Sequence, residues 1–394
     1  MVAADGSAGM GDRLIMAVYH DHQLWRQDMT RVCRGFIAGL TLSAVGCSPT
    51  PGSEETTVTD GVQGSQAPYK LGMFRQDAGD FVGLVVNDEL VVDLSRADVG
   101  APATLHELIE SWDTSMAERL GSLAGTAMRE APKFSHPLGD LRTLPPLTDP
   151  HAIVNAARNY EEHAAEMAAT GRTAGTTAVV DESVRVGIPS VWSRTPDDVR
   201  ANPYLFPKLK SAITGNGDPI VLPPGRTLID WECELTVVIG KTLRRVPREQ
   251  VLDHVFGYTL MLDVSDREDR LDLRYGSDWL LGKSQDTFAP LGPFVVPAEF
   301  VPDPQNLGVQ FSLNDELMQD ATTSLMTHTV IDLLTFASNM VTLQPGDLMA
   351  TGTPAGVGTA RVPPIYLKAG DRTACTVEGI GTLSNTVEAL SGGV

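Results

Sequence analysis

Beyond residue 68 the chain is written in short apolar runs broken by turn residues. The stretch "YKLGMFRQDAGDFVGLVVNDELVVDLS" reads as short strands, with "NDE" as the hairpin between two Val-rich runs. Helical patterning covers 104–128, 160–169 and 326–339. Between the first two lies "LPPLTDP" (144–150), a proline-rich joint that marks a boundary. Strands outnumber helices. The expected fold is therefore α+β and β-rich, with a small N-terminal α+β domain at 69–149 and a catalytic-sized domain at 150–394. No repeat period is visible, and no GxGxxG follows a strand, so no dinucleotide site is expected. Residues 170–202 form a long polar stretch, read as a lid or an insertion.

Ahead of residue 69 the pattern differs. "MTRVCRGFIAGLTLSAVGC" (29–47) has arginines, an apolar run and then small residues before a cysteine. That is the build of a bacterial lipoprotein signal, with Cys47 as the lipidated residue. Position 44 is Ala where leucine is usual, and an upstream leader attached by a mis-set start is the competing explanation. Met29 is the start this pattern favours. Residues 48–68 are rich in Ser, Thr, Pro and Gly and read as a flexible tether. Lipid-anchored or periplasmic placement follows if the signal is real, and a cytoplasmic one otherwise.

Composition narrows the function classes. The 394 residues are 42% hydrophobic and 20% charged, an ordinary globular balance. Net charge is −20, which excludes a basic phosphate-binding surface and hence nucleic acid as a partner. The cysteines at 33, 47, 233 and 375 form no CxxC pair, so Cys233 and Cys375 are expected as small buried apolar side chains.

The chemistry gathers around "DWECELTVVIG" (230–240), an apolar strand whose first half carries Asp230, Glu232 and Glu234. Alternation puts these acids on one face, with Trp231, Cys233 and Leu235 on the other. Buried together they would repel and lose hydration, unless a cation sits between them. An exposed strand edge satisfies the same spacing. "GYTLMLDVSDRE" (257–268) adds a second apolar run ending in Asp263. An all-oxygen set suits magnesium, manganese or calcium. "NYEEHAAEM" (159–167) places His163 and Glu166 on one helix face, where the carboxylate would orient the imidazole as a base. "GKSQDTFAPLGPF" (282–294) and "MATGTPAGVG" (349–358) are Gly/Pro/Thr loops suited to close ligand approach, and Lys283 in the first is a candidate oxyanion partner.

With "RNYEEHAAE", "FPKLKSAITG", "LQPGDLMATGTPAGVG" and "LKAGD…VEGIGTLSN", these segments occur in an order that resembles the fumarylacetoacetate hydrolase superfamily, in its acylpyruvase and 2-oxo-diacid hydrolase–isomerase branch. The resemblance runs from about residue 69 to the C-terminus. It implies a mixed β roll around a metal site, usually homodimeric. It implies Glu232, Glu234 and Asp263 as ligands to Mg2+ (Mn2+ or Ca2+ as alternatives), and His163 with Glu166 as the water-activating dyad. It makes Lys283 the active-site lysine, and Arg158, Tyr160, Arg267 and Thr353 substrate contacts. The expected reaction is hydrolysis of a carbon–carbon bond in an acylpyruvate-like 1,3-diketo acid. Decarboxylation, isomerisation or hydration of a related oxo-enoic acid is the alternative within the superfamily. A lipid-anchored, non-catalytic oxo-acid binder is the alternative outside it. The chain departs from the family in the length of 170–202 and in "DRLDLRY" after "SDRE", where a glutamine is frequent.

Overall fold

A computed structural model describes residues 67–77, 79–170, 202–268 and 278–390. All of them fall in one compact unit, Gln63–Val394. The signal-like segment, Cys47, the tether and most of the 170–202 stretch lie outside the described residues. Among the described residues no helix is long and apolar enough to cross a membrane.

The fold is β-rich and mixed, as expected. Its main sheet runs from Ser135–Pro137 through Leu90–Asp93, Gly79–Val86, Lys70–Gln76, Ala289–Pro297 and Val255–Leu262. It continues through Cys233–Ile239, Leu348–Ala350, Ile153–Ala157 and Tyr204–Lys208. A five-stranded sheet orders Glu316–Thr322, Gly308–Leu313, Arg372–Val377, Gly381–Ala389 and Pro219–Leu222. Most ladders are antiparallel, but Leu348–Ala350 runs parallel to Ile153–Ala157, and Gly381–Ala389 parallel to Pro219–Leu222. The "NDE" hairpin forms, with Asn87 and Asp88 both at positive φ (54° and 56°) at the centre of a turn closed by the Glu89 N–H to Val86 O (3.2 Å).

Cys233–Ile239 is buried along its whole length. That explains the apolar run 237–239 at its end: the strand is covered on both faces. Side chains on the Cys233 face meet the five-stranded sheet, where Trp231 stacks on Phe311 (5.3 Å, 16°). Cys233 and Cys375 are not free thiols but a disulfide, which corrects the expectation from spacing. They stand 142 residues apart, and only the packing of one sheet on the other brings their inward faces together.

Two helices differ from their predicted spans. The 104–128 pattern is split into Leu105–Glu110 and Thr114–Ala127, because the Asp113 side chain accepts the Met116 N–H (2.7 Å) and starts a second helix. The 326–339 pattern begins later, at Val330, because Thr329 and Asp332 form a capping box there. The 160–169 helix stands as Glu161–Ala169 with Tyr160 at its N-cap.

Candidate active site

Strand ends build the site. The 230–240 segment is not one strand: Ile229–Asp230 pairs with Ser265–Asp266, and Cys233–Ile239 joins the main sheet. Glu232 sits at the break and Glu234 on the strand. Asp263 follows Val255–Leu262, its backbone N–H donating to Glu232 O at 2.8 Å. Ligand oxygens of Glu232, Glu234 and Asp263 lie within 4.8 Å of one another, and all three residues are buried. Asp230 is committed elsewhere. It accepts the N–H groups of Gly358 (2.7 Å) and Thr359 (3.1 Å) and pairs with Arg267 (2.8 Å).

Three cationic side chains surround these acids. Lys283 Nζ lies 2.6 Å from both Glu232 Oε2 and Asp263 Oδ2. Lys208 Nζ lies 2.7 Å from Asp263 Oδ1, and Arg267 donates to Glu232 Oε1 at 2.7 Å. Burial opposes ionisation of Glu232, but Lys283 and Arg267 outweigh it and hold the carboxyl well below the usual range. Glu234 differs. Among the described residues no cationic side chain forms an ion pair with it, and its hydrogen-bond donor is the Gly352 N–H at 2.8 Å. Burial, with Asp263 and Glu232 beside it, pushes its carboxyl well above the usual range. Among the described residues four acids, counting Asp230, face three cations, and Glu234 is the acid without an ion-pair partner. A divalent cation among Glu232, Glu234 and Asp263 meets that need, and the all-oxygen donor set fits it.

Behind the acids, His163 Nδ1 lies 2.8 Å from Glu166 Oε1. Glu166 in turn accepts the Gly356 N–H through both oxygens (3.1 and 2.9 Å). Only glycine fits at 356: φ is +105°, and a Cβ would stand 2.2 Å from Met318 O. With Nδ1 engaged, Nε2 is the nitrogen left to act as base.

One pocket is lined by Arg158, His163, Glu232, Glu234, Arg267, Lys283 and Thr353, so most of the predicted site residues meet there. Arg158 reaches the wall from a left-handed turn (φ 55°) between Ile153–Ala157 and the helix. Two predicted contacts are placed differently. Tyr160 is buried in the core and does not line the pocket, and burial together with Glu234 raises its phenol above the usual value. Thr353 reaches the wall, but its hydroxyl donates to Cys233 O (3.1 Å) and accepts from Gln319 Nε2 (2.8 Å), so its proton is spent on the scaffold.

Sequence reasoning missed Lys208, although "FPKLK" was in view. Phe206 and Lys208 alternate inward on Tyr204–Lys208, and that period-two pattern was the available signal. It also missed the aromatic wall of Phe206 and Trp279, whose rings lie 4.7 Å apart, Lys283 Nζ standing 5.1 Å from the Phe206 ring.

Residues 152–388 match the family described as Fumarylacetoacetate (FAA) hydrolase, C-terminal. The chain belongs to that family. Every acid, lysine and histidine of the pocket falls inside the match. The chain is 33% identical over 352 residues to oxaloacetate tautomerase fahd2, mitochondrial, of Xenopus laevis, covering 89% of this chain and 95% of that protein. The fumarylacetoacetate hydrolase of Exiguobacterium antarcticum superposes with a TM-score of 0.63 at 32% identity, over 82% of this chain and 99% of its own. Maleylpyruvate hydrolase from Sphingobium sp. SYK-6, solved with manganese(II) and pyruvate, gives 0.59 at 29%, over 81% and 99%. Relatives of this kind are named as enzymes: tautomerases, isomerases and hydrolases.

Proposed function

We propose that the protein is a divalent-cation-dependent enzyme that moves a proton between carbon and oxygen of a small 2-oxo dicarboxylic acid, a keto–enol tautomerisation of the oxaloacetate type. The observation that carries this reading is the position of Lys283, pinned at 2.6 Å to two of the three acids of the cation site.

A cation held by Glu232, Glu234 and Asp263, with magnesium first in line, supplies Lewis-acid stabilisation of negative charge at the 2-oxo position. Lys283 is fixed at that same end, so its ammonium serves the oxygen there and not a distal carbonyl. Arg267 and Arg158 offer guanidinium groups on the pocket wall for the two carboxylates of the substrate. His163, held by Glu166, takes the proton from carbon 3 while the Lys283 ammonium gives one to the 2-oxo oxygen, and the reverse transfers restore the keto form; the base role is worth about 10²–10⁴-fold in rate. Phe206, Trp279 and Met167 line the remaining wall and keep bulk water from the exchanging proton. The 33% identity to an oxaloacetate tautomerase supports the same reading.

Hydrolysis of an acylpyruvate is the second reading, favoured by one feature: the His163–Glu166 pair is equally suited to activating water. Incubation with acetylpyruvate and Mg2+ separates the two. The tautomerase reading expects no acetate above background, and stoichiometric acetate and pyruvate would replace it with hydrolysis.

A further inference from the structure

The strand that carries Glu232 and Glu234 is held unevenly at its ligand-bearing end. On one side it pairs with Val255–Leu262 along its length, from Cys233↔Leu262 onward. On the other side, its ladder with Leu348–Ala350 covers Thr236, Val237 and Val238 and stops there. Leu235 O still accepts the Thr351 N–H (3.0 Å), but among the described residues, positions 232–234 have no strand partner on that flank. They also carry two of three crowded acids, the ligand oxygens of Glu232, Glu234 and Asp263 lying within 4.8 Å of one another.

What holds them comes from elsewhere, and it converges on Cys233. Its N–H donates to Gln319 Oε1 (3.2 Å), and its carbonyl accepts from Thr353 Oγ1 (3.1 Å). Gln319, fully buried, also donates to Pro354 O (2.7 Å), so one side chain ties the ligand strand to the loop. The Cys233 side chain points away from the acids and is bonded to Cys375 in the five-stranded sheet. Both cysteines are wholly buried, so a dissolved thiol reaches the bond only when the packing around it opens. Of these restraints the disulfide alone is covalent.

We propose that the Cys233–Cys375 disulfide is a positioning cross-link for the cation site. It fixes the backbone between Glu232 and Glu234 so that the two carboxylates stay converged before a cation arrives. Supports of ligand geometry typically govern about 10–100-fold in metal affinity, and that is the range assigned to this bond. By reciprocity, a bound cation stabilises the cross-linked arrangement in turn.

The test measures Mg2+ affinity directly, by titration calorimetry on cation-free protein, for wild type, Cys375→Ala and Cys233→Ala/Cys375→Ala. Leu120→Ala, a core truncation in the Thr114–Ala127 helix, is the stability control. The expected result is a Mg2+ dissociation constant raised about 10-fold or more in both cysteine variants and unchanged in Leu120→Ala at a matched loss of Tm. Dissociation constants that track Tm across all variants, or that do not move in the cysteine variants, overturn the proposal. A measurement on wild type stands if the variants fail to fold. Dithiothreitol reduces the bond by exchange, two cysteine thiols forming as the reagent closes to its cyclic disulfide. Thiol release should be slower in saturating Mg2+ than in EDTA, and equal rates overturn the proposal.

Discussion

Glu166 binds the backbone amide of Gly356 through both carboxylate oxygens while its Oε1 also meets His163 Nδ1 at 2.8 Å. The base is thereby tied to the "TGTPAGVG" loop, whose Gly352 amide holds Glu234. Base and cation site share one scaffold. Glu166→Gln keeps a hydrogen-bonding group but loses the charge, and Glu166→Ala loses both. Expected outcomes are a modest fall in kcat for the first and a larger one for the second, with His163→Ala lowest, at about 10²–10⁴-fold. Steady-state kinetics at saturating Mg2+ check the order. Wild-type kcat in His163→Ala contradicts its role.

Removing the acid without a cationic partner isolates the cation. Glu234→Gln should fold, because burial and the neighbouring Asp263 and Glu232 disfavour a charge at this position and the amide carries none. It should bind Mg2+ far more weakly. Calorimetry that finds wild-type affinity in Glu234→Gln would remove this residue from the ligand set.

The pH dependence follows with a definite sign. Glu234 has a raised carboxyl in the cation-free fold, so its contribution to stability is complete below the ordinary glutamate value of 4.5 and is lost as pH rises through the raised value. Glu232 is depressed, so its contribution is present above 4.5 and lost as pH falls through the lowered value. A cation held by Glu234 would compete with a proton for its carboxylate. The Tm difference between Mg2+ and EDTA should therefore widen as pH rises above 4.5. Mg2+ binding should also release a proton, which calorimetry in buffers of different ionisation enthalpy reads out. A Tm difference that shrinks as pH rises would refute the assignment.

Lys208 and Asp263 form a pair with both side chains inaccessible to water. Burial lowers the Lys208 ammonium against the pull of Asp263. Lys208→Met leaves a buried carboxylate short of a partner, a change that costs about 3–5 kcal/mol for pairs of this kind. A cation at the site offsets the loss, so denaturant melts should show the larger deficit in EDTA. Equal deficits with and without Mg2+ would show that Lys208 does not share the charge of the cation site.

Much of this site was legible in the residues themselves. Acids at alternate positions ahead of an apolar run, a third acid ending the next run, and a His–Glu pair one helical turn apart each state a local geometry. The β-rich fold was legible for the same reason, since strand and hairpin signals are local. What was hidden depends on packing between distant segments. Cys233 and Cys375 meet only when the two sheets face each other. Lys208 looks like a surface lysine until the Asp263 strand covers it. Asp230 shares the alternation of Glu232 and Glu234 yet serves Gly358, Thr359 and Arg267, because the strand breaks at Trp231. Thr353 fits a substrate contact by position, but its hydroxyl is claimed by Cys233 and Gln319.

The central claim is proton transfer at the carbon next to the 2-oxo group, and the decay of enol-oxaloacetate absorbance in stopped flow tests it most directly. Wild-type protein with Mg2+ should accelerate enol-to-keto conversion well beyond the buffer rate, EDTA should abolish the acceleration, and His163→Ala should lose most of it with Mg2+ affinity intact. Enol decay at the buffer rate in the Mg2+-loaded wild type would contradict the account.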